Sequence, residues 1–218
     1  VCEKFKRDNG IEVKPDEVIV TAGASEALHL ALEALVEPGD EVLVPDPGFV
    51  SYSALTKIAG ATPIYVPLDD DLHLQADIIS DYITPDTKVL VISSPSNPTG
   101  AVQTAGEIEA IAALASEKGL IIISDEVYEH FIYEGKHSSP AKYYDQVITI
   151  NATSKTYAMT GWRLGYLTAP KDYVEQMLKI HQYCQACACS ISQIDTYAAL
   201  TGPQDSIAEM REAFRERR

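Results

Sequence analysis

One lysine stands apart from the other cations of this sequence. Lys155 directly follows Ser154 and lies eight residues ahead of Arg163, within the run Asn151–Tyr166 of mostly small residues. A lysine ammonium is costly to bury without a partner, so lysines are exposed by default. Here the flanks are the apolar stretches Val147–Ile150 and Tyr166–Ala169. A desolvated amine in such a setting loses its proton and can attack an aldehyde to form a Schiff base. Ser154 and Arg163 have the chemistry to hold a phosphate beside it. The plain reading of the same residues is a surface Lys-Thr pair in a loop.

Two further segments have the chemistry to serve such a lysine. Thr21–Ala27 (TAGASEA) follows a strand-like run and opens a helix-like one. Small residues there let backbone N–H groups approach an anion, and a helix N-terminus favours its charge, which makes Ala24 and Ser25 phosphate-binding candidates. The structural alternative is that Ser25 is simply an N-cap. No G-x-G-x-x-G fingerprint and no P-loop occurs. Farther on, Ile123–Tyr128 puts Asp125 at the end of an apolar run, where an ionised carboxylate is expensive unless paired with a cation. Glu126 reads as solvated or in a structural salt bridge, and His130 and His137 as loop residues with no partner visible in sequence.

The elements that must position these residues alternate. Short β-branched runs (Val18–Thr21, Glu41–Val44, Thr62–Val66, Lys88–Ser93, Leu120–Ser124, Val147–Ile150, Leu164–Thr168) are interleaved with helix-like runs (Ser25–Val36, Val50–Ala59, Leu74–Tyr82, Ala105–Lys118, Lys171–Gln185). Turn signals such as Pro38-Gly39-Asp40 separate them. Strands apolar on both faces, alternating with helices, predict an α/β fold: a three-layer αβα sandwich on a mostly parallel, mixed sheet. Val1–Asp8 reads as the tail of a helix already under way, and the chain as a piece of a longer one. Residues 1–190 are expected to form the large domain, and residues 191–218 a charged helical segment leading out of it.

A formal charge of −15 on 218 residues opposes phosphate backbones and argues against nucleic acid as a partner. No apolar run approaches a membrane span. Cys184, Cys187 and Cys189 form a C-x-x-C-x-C cluster with His181 close by. Zinc would need a fourth ligand at a suitable distance. Interleaved Ala and Ser instead point to helix–helix packing, with Cys as a small apolar residue, no metal, and a reduced cytoplasmic protein.

The order of motifs along the chain, G-A-S-E (23–26), P-x-F (47–49), N-P-T-G (97–100), S-D-E-V-Y (124–128), S-K (154–155) and G-W-R-L-G (161–165), resembles the class I and II aminotransferases, the aspartate-aminotransferase-like group of fold-type-I pyridoxal-phosphate enzymes. The resemblance covers almost the whole chain. It departs at Ala152, where family members commonly carry Gly or Ser; alanine is still small. The resemblance implies pyridoxal 5'-phosphate bound covalently through Lys155, with Ala24, Ser25, Ser154 and Arg163 on its phosphate and Phe49 stacked on its ring. It further implies Asn97 and Tyr128 on the phenolic oxygen and Asp125 on the protonated ring nitrogen. Lys155, Asp125 and Tyr128 are then the catalytic set, moving an amino group between an amino acid and a 2-oxo acid in a homodimer. A lyase or synthase of the same fold, and a non-catalytic cofactor-binding or regulatory module, are the alternatives. The family also implies cis peptides at Asp46-Pro47 and Asn97-Pro98, an antiparallel strand at Leu164–Thr168, and a carboxylate-gripping arginine that none of Arg211, Arg215, Arg217 or Arg218 is read as supplying.

Overall fold

The computed structural model describes residues 1–218. Seven strands form one sheet: β1 (Val18–Thr21), β2 (Glu41–Asp46), β3 (Thr62–Pro67), β4 (Thr87–Ser93), β5 (Ile121–Asp125), β6 (Val147–Ala152) and β7 (Gly165–Thr168). Their spatial order is β1-β7-β6-β5-β4-β2-β3. β2 through β6 pair in parallel, whereas β7 is antiparallel to both neighbours, β6 and β1. The expected mixed sheet and its one reversed strand are both present.

The strands carry large apolar residues on both faces because helices cover both. On one side α2 (Ala24–Leu35), α3 (Val50–Ile58) and α7 (Lys171–Cys184) pack against Val42, Val44, Val89, Val91, Ile123 and Ile150. On the other, α4 (Ala76–Asp81) and α5 (Ala105–Lys118) cover Leu43, Leu90, Ile92 and Ile122. Fully burying one such side chain contributes about 1.5–3 kcal/mol, so covering both faces is what stabilises the central strands. α5 begins and ends where its sequence dictates. Thr104 and Glu107 form a reciprocal capping box, and Gly119 closes the helix at φ 69°.

A third apolar cluster joins Phe5 and Ile11 of the N-terminal segment to Leu164 and Tyr166 of the β7 strand region and to Ala188. The helix read at the N-terminus is present as α1 (Cys2–Lys4) running into a π-helical turn, Phe5–Asn9. A single turn, α6 (Thr153–Thr156), follows β6, and α8 (Ser190–Thr201) and α9 (Asp205–Arg217) end the chain. Both expected cis peptides are found, with a third at Ser94-Pro95.

The cysteine cluster corrects the sequence reading. α7 ends at Cys184 and the chain turns through Ala186 at φ 63° before α8 starts, so Cys184, Cys187 and Cys189 are exposed on a turn rather than packed between helices. Small residues suit a tight turn as well as a helix contact, and spacing does not separate the two. No helix is long and apolar enough to cross a membrane.

Candidate active site

Parallel pairing brings the chemistry to one edge. In an open α/β sheet, ligands bind beyond the carboxyl ends of the strands. β1, β2, β4, β5 and β6 all end at that edge, and each is followed by a candidate: Ala24 and Ser25, Phe49, Asn97, Asp125 itself, and Ser154 with Lys155. Arg163 reaches the same edge because β7 runs the other way, so the residues just before Gly165 lie where the other strands finish. Gly165 is register partner to both Thr21 and Ala152. That single row joins the start of α2, the lysine turn and the arginine.

The result is one cavity of about 150 Å³ lined by Ala24, Ser25, Phe49, Asn97, Asp125, Tyr128, Ser154, Lys155 and Arg163, together with Leu28, Val127 and Thr160. All nine residues singled out from the sequence therefore share one space. Lys155 Nζ lies 5.7 Å from the centre of the Tyr128 ring.

One end of the cavity suits an anion. α2 is N-capped by the backbone of Gly23, at φ 88°, and no side chain caps its first turn. Ser25 is thus the second helical residue and not the cap, which sets aside the N-cap alternative. The first N–H groups of a helix have no intrahelical partner. The Arg163 guanidinium lies over Gly23: an added Cβ there would come within 2.5 Å of it. Gly165 is needed for the same packing, since its Cβ would come within 2.5–2.6 Å of the Gly23 and Ala24 backbone.

Another part of the lining suits a cation. Asp125 is only 5% exposed. It accepts from the Tyr52 hydroxyl at 2.8 Å and the Val127 N–H at 3.3 Å, and no cation lies within ion-pair reach. Burial pushes its carboxyl up to about 6; the Tyr52 and Val127 hydrogen bonds act against that, the Glu126 charge adds to it, and the Lys155 charge opposes it. Tyr52 was not visible as a site residue in sequence. It reads as an ordinary aromatic of a helix, and only the packing of α3 on the β2–β3 side of the sheet aims its hydroxyl at Asp125.

His130 and His137, read as unpartnered loop residues, are paired. His137 Nε2 lies 2.7 Å from Glu126 Oε2, and His130 Nε2 lies 3.4 Å from both Asp8 and Glu129. Glu126 is buried, in an ion pair rather than solvated. Apart from Glu129, the neighbour of His130, these partners come from 11 residues away or from the N-terminal segment, beyond any local pattern. A second, apolar cavity of about 370 Å³, walled by Phe131, Tyr133, Ala158, Met210 and Phe214, adjoins the first at Tyr128, Ser154 and Lys155.

The model of the family "aminotransferase class I and II" matches residues 1–218. The chain belongs to this family. A probable aspartate aminotransferase of Methanocaldococcus jannaschii is 44% identical over 224 residues, covering 100% of this chain and 60% of the relative. An aromatic-amino-acid aminotransferase 2 of Thermococcus litoralis is 40% identical and 58% covered. Among solved structures, a double mutant of the Thermus thermophilus aspartate aminotransferase matches with TM-score 0.96 at 40% identity, over 99% of this chain and 58% of that one. This aminotransferase-family chain thus spans about 60% of the length of such relatives.

Pyridoxal phosphate is the cofactor of the family, and the cavity of this family member fits it. The cofactor carries an anionic phosphate at one end and a basic ring nitrogen at the other. The cavity offers an uncapped helix start with Arg163 for the first, and a buried, cation-free carboxylate for the second.

Proposed function

We propose that this chain is the cofactor-binding part of a pyridoxal-phosphate-dependent aminotransferase, acting on an α-amino acid and a 2-oxo acid. The observation that carries the reading is the charge layout of one cavity: Lys155 and Arg163, neither in an ion pair, share it with the buried Asp125. Residues 1–190 would constitute the cofactor domain, with 191–218 leading on from it.

The side chains divide the work by position. Ser154, Arg163 and the start of α2 at Ala24 and Ser25 would bind the phosphate, orienting the cofactor by its most strongly charged group. Phe49 would cover the ring face and exclude water. Asn97 and Tyr128 would donate to the phenolic oxygen, and Asp125 would hold the proton on the ring nitrogen. When bound, the cofactor supplies an electron sink for charge developing at the substrate α-carbon. Lys155 would be its covalent anchor and, once displaced by the substrate amine, the general base that takes the α-proton and returns it.

A homodimer is part of the proposal. Ile191, Ile194 and Tyr197, each 70% exposed, line one side of α8, and Trp162, 45% exposed, is tied to the same helix by its bond to Asp195. An apolar face of this kind marks an interaction surface, and two-fold pairing is the commonest closed assembly. With four free thiols, three of them exposed, a reducing cytoplasm is the compartment proposed.

The test is spectroscopic and kinetic. Addition of pyridoxal phosphate is expected to give visible absorbance that Lys155→Ala abolishes, and amino acids should shift it with release of a 2-oxo acid. Cofactor bound equally well and with the same spectrum by Lys155→Ala would end the assignment.

A further inference from the structure

Behind the floor of the cavity lies a buried polar cluster that the proposed chemistry does not use. Glu126, next to Asp125 in the chain, is 1% exposed and does not line the cavity. Its Oε2 accepts from Asn9 Nδ2 at 2.6 Å and faces His137 Nε2 at 2.7 Å. Its Oε1 accepts from the Ser139 hydroxyl at 2.7 Å and the Ser124 hydroxyl at 2.9 Å. The Asn9 amide, the two serine hydroxyls and His137 thus surround both oxygens with groups able to donate, a setting that suits an acceptor-only carboxylate. The Asn9 amide also donates to Glu129 Oε2 at 2.6 Å, and Glu129 pairs with Lys4. His130 bridges Glu129 and Asp8. These groups come from the N-terminal segment, from β5 and from the loop after it, and they complete the charged surroundings of Glu126 on that side. Tyr52 and Lys155 face Asp125 from the other.

We propose that Glu126 is a positioning residue for Asp125: its charge, offset by the His137 proton, adjusts how firmly Asp125 holds a proton, and with it the ring nitrogen of the cofactor. This rests on the pyridoxal-phosphate reading above. The physical reason is proximity inside a dry region. A like charge on the neighbouring residue disfavours ionisation, and salt screens a buried pair far less than an exposed one. After burial itself, which dominates, the charge of Glu126 acts to raise the Asp125 carboxyl. His137 is the counterweight. Burial by itself would lower its imidazole, but the charge and hydrogen bond of Glu126 outweigh that and raise it, so the ring tends to keep its proton.

The competing account is that the cluster only latches the N-terminal segment to the loop. Two variants separate these. In Glu126→Gln the amide oxygen can accept from Asn9 and His137 while the amide nitrogen donates to the two serine hydroxyls, so the bonds survive and the charge goes. His137→Gln keeps a donor toward Glu126 and removes the cation. The readouts are the titration of the Asp125 carboxyl carbon by NMR in the cofactor-free protein and the dissociation constant of pyridoxal phosphate. Glu126→Gln is expected to lower the Asp125 midpoint by about half a unit and to weaken the cofactor about three-fold. His137→Gln should move the midpoint the opposite way. Midpoints unchanged in both variants, or shifted in the same direction with a common loss of thermal stability, overturn the proposal. Should Glu126→Gln not fold, the upward shift in His137→Gln decides alone, and its absence overturns the idea. A wild-type protein that does not bind pyridoxal phosphate would refute the functional reading instead, and the cofactor-free titration would still decide this one.

Discussion

The Tyr52 hydroxyl donates to Asp125 Oδ2 at 2.8 Å, from a residue 73 positions earlier in the chain. Tyr52 is itself 1% exposed and belongs to the same apolar face as Val91 and Ile123. The bond favours the ionised carboxylate and works against burial. Tyr52→Phe is therefore expected to raise the Asp125 midpoint above about 6. It should also cost about 1 kcal/mol in urea unfolding, the usual value of one lost hydrogen bond. An unchanged midpoint by carboxyl NMR would show that the bond has no electrostatic consequence.

Asp125 also predicts how the cofactor-free protein responds to pH. Its carboxyl is raised from an ordinary 3.8 to about 6, so the folded state binds its proton more tightly than the unfolded state. The stabilisation this gives is complete below 3.8 and is lost as pH rises through about 6. Asp125→Asn can keep the Tyr52 and Val127 bonds without the charge. The variant should be more stable than wild type at pH 8 without cofactor, by on the order of 2 kcal/mol, and equal to it at pH 3. Urea unfolding at the two pH values measures the difference. With cofactor present, turnover should fall far more than cofactor attachment.

His130 carries the opposite end of the pH range. Burial would lower its imidazole, but the hydrogen bonds and charges of Asp8 and Glu129 outweigh it and raise the ring to about 9. That stabilisation is present below the ordinary 6.5 and disappears as pH rises through about 9. His130→Gln should lower stability at pH 6 and leave it nearly unchanged at pH 10, so the loss of stability across the alkaline range is flatter than in wild type. A parallel pair of melting curves across pH 6–10 tests it.

The contact between Gly165 and Gly23 should resist any side chain. Gly165→Ala places a Cβ 2.5–2.6 Å from backbone atoms that cannot swing aside, and the strand or the α2 start must move. A loss of about 1–3 kcal/mol is expected. Gly23→Ala meets the mobile end of Arg163 but also a φ of +88°. It should weaken pyridoxal phosphate about ten-fold while sparing pyridoxal, which lacks the phosphate, because the guanidinium is displaced. Equal weakening of both ligands would put Arg163 elsewhere than on the phosphate.

Residue types and order sufficed for much of this molecule. The alternation of β-branched and amphipathic runs fixed all seven strands to within two residues at each end, because burial on both faces of a parallel sheet leaves no other pattern. The reversed strand and two of the three cis prolines came with the motif order. Eight of the nine cavity residues were legible because they end or follow a strand, and parallel strands end at one edge; Arg163 instead precedes the reversed β7 and came with the motif order. Tertiary structure alone decided the rest. Tyr52 becomes a partner of Asp125 only when α3 packs on the sheet. His130, His137, Glu126, Lys4 and Asn9 form one cluster only because the N-terminal segment folds against the loop after β5. The cysteine turn was misread because small residues suit both a helix contact and an exposed corner. For Tyr52 and the buried cluster the deciding energy is a contact between residues far apart in sequence. A local pattern records only what a residue must avoid, burial of an unpaired polar group, and not which distant group will satisfy it.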